Sequence, residues 1–334
     1  MIVYICSMKK VSILVPESAV MEAVADPRYL FTAANQFLQS AGKPPLFEVE
    51  LVGQQRVVLL HDGVFAVQTD KVLEEVHQTD LIVIPALFGD MQRAVAKNQE
   101  SIPWIIKHHL RGAEVASLCV GAFLFASTGL LKGKKCSTHW AFYNEFRETF
   151  PDVEVADGSI ITDEQGLYSS GGANSYWNLL LYLLEKYTDR DTAILAAKYF
   201  AIDIDRNNQS AFAMFTGQKD HKDKEILKAQ EFIEINYAEK ISVDQLADSV
   251  VVSRRSFERR FKQATGNTVV EYLQRVKIEA AKRSFESSRK NINEVMYDVG
   301  YTDTKAFRTV FKKITGLTPI EYRNKYNKEV VLAD

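Results

Sequence analysis

The stretch "ASLCVGAF", residues 116–123, places a cysteine between a strand-like run and a helix-like run. The residues up to Leu118 are mostly apolar, Cys119 follows them directly, and a helical pattern begins at Ala122. A strand, a sharp turn and a helix are a common mount for a nucleophile, because the strained turn projects its side chain above the sheet. The stretch therefore predicts an α/β fold with a functional site at Cys119.

Strand and helix patterns alternate around this stretch over residues 11–200. The sequence predicts strands over 11–15, 45–53, 80–87, 113–118 and 134–138, and helices over 28–41, 90–110 and 122–131. Short apolar runs are typical of strands buried in a parallel sheet, whereas 45–53 alternates and is expected nearer an edge. This order predicts a doubly wound, flavodoxin-like α/β domain, whose sites lie beyond the carboxyl ends of the strands.

Cysteine usage and the first residues indicate a location inside the cell. The cysteines Cys6, Cys119 and Cys136 are odd in number and lack metal-type spacing, so we expect no disulfide framework, no metal and no cofactor. The start of the chain has neither the basic segment of a signal peptide nor an apolar run long enough to span a membrane. We therefore expect a cytoplasmic protein without a membrane partner, whose translation begins at Met1 or Met8.

Charge is distributed unevenly along the chain. Residues 224–334 contain 21 Lys and Arg against 16 Asp and Glu, whereas residues 1–223 contain 20 against 27. A basic segment attached to an acidic body favours a nucleic-acid partner for the basic segment.

The basic segment contains an internal repeat. "FERRFKQATGNTVVEY" (257–272) and "FRTVFKKITGLTPIEY" (307–322) align without a gap at an offset of fifty residues, with eight identical positions. In each copy a short helix, a tight turn and a second, cationic helix are expected, and helix 270–287 joins the copies. The repeat predicts two copies of one helical unit.

Each copy has the parts of a helix-turn-helix. Ser253 can cap the second helix of the first copy, and Thr302 or Asp303 can cap that of the second. Their outward faces predict contacts with bases and phosphates of two successive major grooves. A plain helical bundle with solvated charges would not require the same pattern twice. The predicted DNA-binding residues are Ser253, Arg254, Arg255, Ser256, Arg259, Lys262, Thr302, Thr304, Lys305, Arg308, Thr309 and Lys312.

Residues 224–326 resemble the AraC/XylS family of transcriptional regulators, most clearly in "GYTDTKAFRTVFKKITGLTPIEYR" (300–323). The chain departs from the family pattern at Val269, Ala306 and Thr309, which affects which bases are read. The resemblance implies a bacterial regulator that binds operator or promoter duplex DNA, works with RNA polymerase and forms a homodimer. We predict an α/β domain over 9–215, a polar linker over 216–223 and an all-α domain with two helix-turn-helix units over 224–328.

A cysteine nucleophile needs a basic or acidic partner, and two candidates exist. His139 follows the predicted strand 134–138, and Glu22 follows the first strand. The amino end of the helix after Cys119 is expected to lower the pKa of its thiol. The set resembles the PfpI-like branch of the class I glutamine-amidotransferase-like superfamily, with "SLCVG" as the elbow and "STHW" as the histidine segment. Together with the AraC-type segment it resembles GlxA/FtrA-type regulators.

Two departures from this resemblance affect the site. Ala86 and Leu87 stand after Pro85 where many relatives have a Gly-Gly pair, which alters the turn whose backbone N–H groups could form an oxyanion hole. Tyr176-Trp177-Asn178 introduces bulky rings. We expect Tyr176 and Trp177 to be packing residues and Cys136 to be a core residue. We expect His108 and His109 to be solvated.

Three roles for Cys119 remain open: a nucleophile with His139 as base, a ligand or redox sensor, and an inherited scaffold that supports dimerisation. The sequence favours a DNA-binding regulator whose PfpI-like domain senses a small molecule, forms the dimer, or both. The alternative is a Cys–His hydrolase or hydratase for a small nitrogenous or carbonyl compound, with an accessory DNA-binding domain.

Overall fold

The computed structural model describes residues 8–204, 208–219 and 221–327 and divides into two compact units, the first ending at Gln209 and the second beginning at Ser210. This division falls earlier in the chain than residue 215, the predicted end of the α/β domain. Cys6, the alternative start at Met1, residue 220 of the predicted linker and residue 328 lie outside the described residues.

The first unit contains a seven-stranded sheet in the order β10-β11-β7-β6-β1-β2-β5. All its neighbouring strands run parallel except β10 and β11. β6 lies at the centre with all four residues buried, and β2 lies next to an edge strand as its alternating pattern predicts. The predicted doubly wound α/β fold is confirmed. Two further pairs of strands, β3 with β4 and β8 with β9, form separate two-stranded sheets. The strands of the unit are β1 (Lys9–Val15), β2 (Phe47–Gly53), β3 (Val57–Leu60), β4 (Phe65–Gln68), β5 (Lys71–Val72), β6 (Leu81–Ile84), β7 (Glu114–Ser117), β8 (Lys135–Cys136), β9 (Glu154–Val155), β10 (Ile161–Asp163) and β11 (Leu167–Ser170).

Helices of this unit bury their apolar sides in one core with the sheet. They are α1 (Met21–Ser40), α2 (Met91–Lys97), α3 (Ser101–His109), α4 (Ala122–Ser127), α5 (Tyr143–Thr149), α6 (Tyr176–Tyr187) and α7 (Arg190–Tyr199).

The bounds of several elements differ from their prediction. α1 begins at Met21 rather than at residue 28 and passes through Pro27, because burial of Ala23, Val24 and Pro27 offsets the lost hydrogen bond. The predicted helix 90–110 is two helices, since Pro103 lacks an N–H group and is tolerated only in the first turn of α3.

Two further elements are shorter than predicted. α4 ends at Ser127 instead of residue 131, where the Thr128 hydroxyl donates to the Phe125 carbonyl and Gly129 takes a positive φ of 75°. The strand predicted over 134–138 is only β8, because the Ser137 N–H donates to the side-chain hydroxyl of Ser169 in β11 rather than to a backbone carbonyl.

His108 corrects another expectation. Its side chain is buried against Trp104, with ring centroids 4.5 Å apart, and is not solvated. Burial lowers the pKa of His108, so the ring is neutral near pH 7. His109 is half-buried, and its Nδ1–H donates to the Ala113 carbonyl at 2.9 Å. Both histidines lie at the end of α3, so helical spacing alone does not tell which of the two is buried.

The second unit is helical from Lys224 to Tyr326, as predicted. Its helices are α8 (Lys224–Asn236), α9 (Val243–Ser249), α10 (Arg254–Thr265), α11 (Val269–Ser287), α12 (Ile292–Asp298), α13 (Thr304–Thr315) and α14 (Pro319–Tyr326). Two separate apolar clusters form its interior, one under α9 and α10 and one under α12 and α13. The long α11 joins them, with Tyr272 in the first cluster and Phe285 in the second. No helix among the described residues combines the length and apolar character needed to cross a membrane.

Segment 213–219, which includes part of the predicted linker, contacts helices of the second unit. The Phe215 ring lies 5.1 Å from the Tyr272 ring, and its N–H donates to the Glu279 carboxylate at 3.1 Å. The Gln218 carbonyl accepts a hydrogen bond from Gln230 at 2.6 Å. These residues are therefore part of the helical unit's packing rather than a free tether.

Candidate functional sites: the Cys119 elbow and the recognition helices

Cys119 lies at a strained turn between β7 and α4. Its φ of 55° is in the left-handed region, which a side chain other than glycine adopts at a cost. A Cβ atom on Gly121 would lie 2.4 Å from the Pro85 carbonyl oxygen, so only glycine permits this close approach of the turn to the loop after β6. Two residues therefore define the elbow: Cys119 at the strained position and Gly121 at the close contact.

Neighbouring hydroxyl groups hold the backbone of Cys119. Its N–H donates to the Ser170 hydroxyl at 3.2 Å, and its carbonyl accepts from the Thr138 hydroxyl at 3.2 Å. Ser170 ends β11 and Thr138 lies just after β8, so the elbow is tied to two further strands. This arrangement fixes the position of the thiol within the unit.

The Cys119 thiol is buried, with 5% of the residue exposed. Burial raises its pKa to about 12, and the opposing hydrogen bond from the Val120 backbone N–H is weaker than this desolvation. The predicted lowering of the pKa is therefore wrong, because loss of water outweighs the amino end of the following helix. Cys119 is a neutral thiol at pH 7.

His139 makes a hydrogen bond within its own turn, and Glu22 is exposed. The His139 Nδ1 accepts a hydrogen bond from the Ala141 N–H at 3.1 Å and so caps the turn at Trp140–Phe142. Burial lowers the pKa of His139, which leaves the ring neutral. Glu22 lies exposed in the first turn of α1. Within the described ranges, no side-chain hydrogen bond joins the Cys119 sulfur to either residue.

Tyr176 is a site residue that sequence reasoning assigned only to packing. It is buried, and its hydroxyl donates to the Asp26 carboxylate at 2.6 Å. Burial and the hydrogen bond to Asp26 raise the pKa of Tyr176. The tyrosine therefore joins the start of α6 to α1. The signal in the sequence was its unusual bulk at position 176.

Loop 86–87 is joined to the loop before α1. The Val20 N–H donates to the Ala86 carbonyl at 2.8 Å, and the Phe88 N–H donates to the Ser18 carbonyl at 2.7 Å. Ala86 and Leu87 are both buried. The side chains that replace the Gly-Gly pair therefore contribute to the core beside the elbow.

The recognition helices α10 and α13 begin and end in the same way. The Ser253 hydroxyl accepts from the Ser256 N–H at 3.4 Å, and the Asp303 carboxylate accepts from the Ala306 N–H at 2.8 Å, so Asp303 rather than Thr302 is the second cap. Each helix ends at a glycine of positive φ, Gly266 or Gly316.

Most of the predicted DNA-binding side chains are exposed on these helices; Ser256 and Thr304, both in the first turn, are half-buried. Arg254 differs, because it forms ion pairs with Asp244 at 3.0 Å and Glu258 at 3.3 Å. Among the described residues, the remaining predicted cations have no ion-pair partner. These are Arg255, Arg259, Lys262, Lys305, Arg308 and Lys312.

Comparison with known proteins agrees with the division of the chain into an α/β unit and a helical unit. The DJ-1/PfpI family model matches residues 9–186, which is more than half of the chain. This protein belongs to the DJ-1/PfpI family. A helix-turn-helix domain model matches residues 246–325 of the same chain. The predicted combination of a PfpI-like domain with an AraC-type helix-turn-helix segment is thereby confirmed.

Two curated relatives are regulators from Pseudomonas aeruginosa. The HTH-type transcriptional regulator GbdR is 25% identical over 272 residues, covering 80% of this DJ-1/PfpI protein and 72% of GbdR. The HTH-type transcriptional regulator ArgR is 26% identical over 215 residues, covering 64% of this chain and 65% of ArgR, just under two thirds of its length. A THiJ/PfpI family protein from Pseudomonas syringae shares the α/β fold, with a TM-score of 0.50 at 15% identity over 60% of this chain and 77% of that one.

Proposed function

We propose that this DJ-1/PfpI family member is a sequence-specific DNA-binding transcriptional regulator of the AraC type that acts in the bacterial cytoplasm. One observation carries the proposal: α10 and α13, the equivalent helices of the two repeats, both present exposed cationic side chains that have no ion-pair partner among the described residues. Arg255 matches Lys305 and Lys262 matches Lys312 at the offset of fifty residues. Exposed cations of this kind are what two recognition helices need, because phosphate and base contacts demand charges that are free to rearrange.

The two helices have distinct candidates for reading bases and for contacting phosphates. Arg255 lies in the first turn of α10 and Arg308 in the second turn of α13. An arginine there can pair with the O6 and N7 atoms of guanine. Lys262 and Lys312 lie near the carboxyl ends and are assigned to phosphates. Arg254 is held by Asp244 and Glu258, so it must leave these partners before it contacts DNA.

The α/β unit is assigned a sensing role rather than turnover. A neutral, buried Cys119 without a side-chain hydrogen bond to His139 or Glu22 lacks the activation that a nucleophilic cysteine requires. The names of the relatives GbdR and ArgR describe transcriptional regulators, which supports the same assignment. An effector that binds two arrangements of the protein with unequal affinity would change its affinity for operator DNA. Homodimerisation and contact with RNA polymerase complete the proposal.

DNA binding tests the proposal on the full chain. Duplexes selected from a random library should bind with an affinity that falls steeply with salt, since several phosphates are neutralised. The double change Arg255→Ala and Arg308→Ala should weaken binding to the selected duplex by about a hundredfold or more, at about 1–3 kcal/mol per base contact. Arg283→Ala, an exposed arginine of α11, is the matched control. Failure to select any duplex would contradict the regulator function.

Turnover assays test the enzyme alternative. Purified protein should not hydrolyse or hydrate small amides, isocyanides or aldehydes at ordinary enzyme rates of about 1 s⁻¹ or more. A reaction at such a rate that disappears in Cys119→Ala would establish a Cys119-dependent enzyme and overturn the sensing assignment.

A further inference from the structure

An open cleft of about 440 Å³ lies beside the carboxyl ends of β1 and β2 and does not include Cys119. Its walls are Val15 and Glu17 after β1, Gln54 and Gln55 after β2, and Val57–Leu59 of β3. This volume is within the range of about 300–1,000 Å³ that small-molecule sites occupy. The carboxyl ends of parallel strands are also where doubly wound sheets bind ligands.

Both polar walls of the cleft are held in place. The Glu17 N–H donates to Oδ1 of the fully buried Asn98 at 3.0 Å, and Asn98 in turn donates to the Ala94 carbonyl at 2.7 Å. On the other wall, the Thr69 hydroxyl donates to the Gln55 carbonyl at 2.9 Å. A Cβ atom on Gly53 would lie 2.7 Å from the Thr69 methyl group, so this turn is closely packed. The cleft is therefore preformed.

The residues that line the cleft favour a positively charged ligand. Glu17 is the single ionisable side chain among the lining residues, and its carboxylate has no ion-pair partner within the described part of the chain. Val57 and Leu59 are 50% and 59% exposed, so the same cleft presents apolar surface to solvent. A cation with a short apolar body would pair with the carboxylate and cover the apolar side chains, and its N–H groups would donate hydrogen bonds to the side-chain carbonyl oxygens of the glutamines.

We propose that this cleft binds a small organic cation, such as an ammonium or guanidinium compound with a short apolar chain, through Glu17. Binding itself does not depend on the proposed regulatory function, whereas the role of this cation as the effector does. The site is separate from the Cys119 elbow, which would leave the elbow as a structural or redox feature of the same unit.

Isothermal titration of the full chain tests the cleft with butylammonium, butylguanidinium and butyltrimethylammonium ions. At least one should saturate a single site per chain, and butyrate should not bind. Glu17→Gln should weaken binding at least tenfold, Glu17→Asp should retain it within about threefold, and the exposed control Glu48→Gln should leave it unchanged. Circular dichroism checks that each variant remains folded.

Three outcomes would overturn the proposal that this cleft binds a cation. The first is that no cation binds at 10 mM. The second is that binding is lost in Glu22→Gln and kept in Glu17→Gln, which places the cation at the elbow. The third is a dimer that becomes monomeric in Leu59→Ser, which assigns the apolar wall to a second copy of the chain. Binding that leaves the affinity for selected DNA unchanged overturns the effector role alone.

Discussion

At the scale of single residues, burial decides the chemistry of the elbow. A cysteine at the amino end of a helix is usually activated, yet Cys119 is surrounded by protein and its pKa rises to about 12. Cys136 is buried with a similarly raised pKa of about 12. Both described thiols therefore remain protonated near neutral pH, although only Cys119 lies at a strained backbone position.

Alkylation kinetics should show this low reactivity. In a Cys6→Ser, Cys136→Ser variant, iodoacetamide should modify Cys119 at pH 7.5 at least a hundredfold more slowly than it modifies glutathione, because the thiolate fraction is small. The rate should rise about tenfold per pH unit up to pH 10. Intact-mass spectrometry measures the rate. If Cys119 were alkylated as fast as the glutathione thiol, the pKa of Cys119 would be low.

The close contact at Gly121 predicts a large cost for a small substitution. Gly121→Ala should lower the free energy of unfolding by about 3 kcal/mol, since its Cβ would overlap the Pro85 carbonyl. Gly133, unlike Gly121, has a positive φ, of 70°, and it has open space around its Cβ position. Gly133→Ala should therefore cost only about 1 kcal/mol. Urea titration compares the two, and equal costs would show that the elbow relaxes.

At the scale of elements, the repeated threonines and tyrosines stabilise the helix-turn-helix units. Thr265 and Thr315 donate to the carbonyls of Phe261 and Phe311, both at 2.8 Å. Tyr272 and Tyr322 donate to glutamates on other helices, Glu234 at 2.6 Å and Glu286 at 2.5 Å. The exposed faces differ between copies, as expected for two helices that read different bases.

The repeated capping boxes should contribute equally to stability. Thr268 caps α11 and Thr318 caps α14, each paired with a glutamate three residues later. Thr268→Ala and Thr318→Ala should each lower stability by about 1 kcal/mol. The control Thr309→Ala, on the exposed face of α13, should change stability by less than about 0.5 kcal/mol and instead weaken DNA binding. Thermal unfolding and DNA titration together separate these effects.

At the scale of the whole molecule, the two compact units have separate cores. Phe125 is fully buried in the α/β unit and Phe311 in the helical unit. Separate cores allow the units to unfold in separate transitions.

Calorimetry of the full chain should therefore show more than one transition. Phe125→Ala should lower the Tm of one transition and Phe311→Ala that of another, each by about 10 °C, because loss of a buried phenyl ring costs about 3–5 kcal/mol. A single transition that both substitutions shift would mean that the units unfold together.

Sequence by itself determined the two fold classes, the elbow at Cys119, the repeat and the capped cationic helices. These follow from local rules: apolar periodicity, turn residues and caps act over a few neighbouring positions. It also assigned Ser253 as a cap and offered Asp303 as one of two caps for the second helix.

Only the tertiary structure decided the charge state of Cys119, the burial of His108, the role of Tyr176 beside Asp26 and the ion pairs that hold Arg254. It also formed the cleft at Glu17 from loops after β1 and β2, which are distant in the chain. The physical reason is that desolvation and ion pairing depend on which segments meet in space, and this information is not carried by the spacing of residues along one segment.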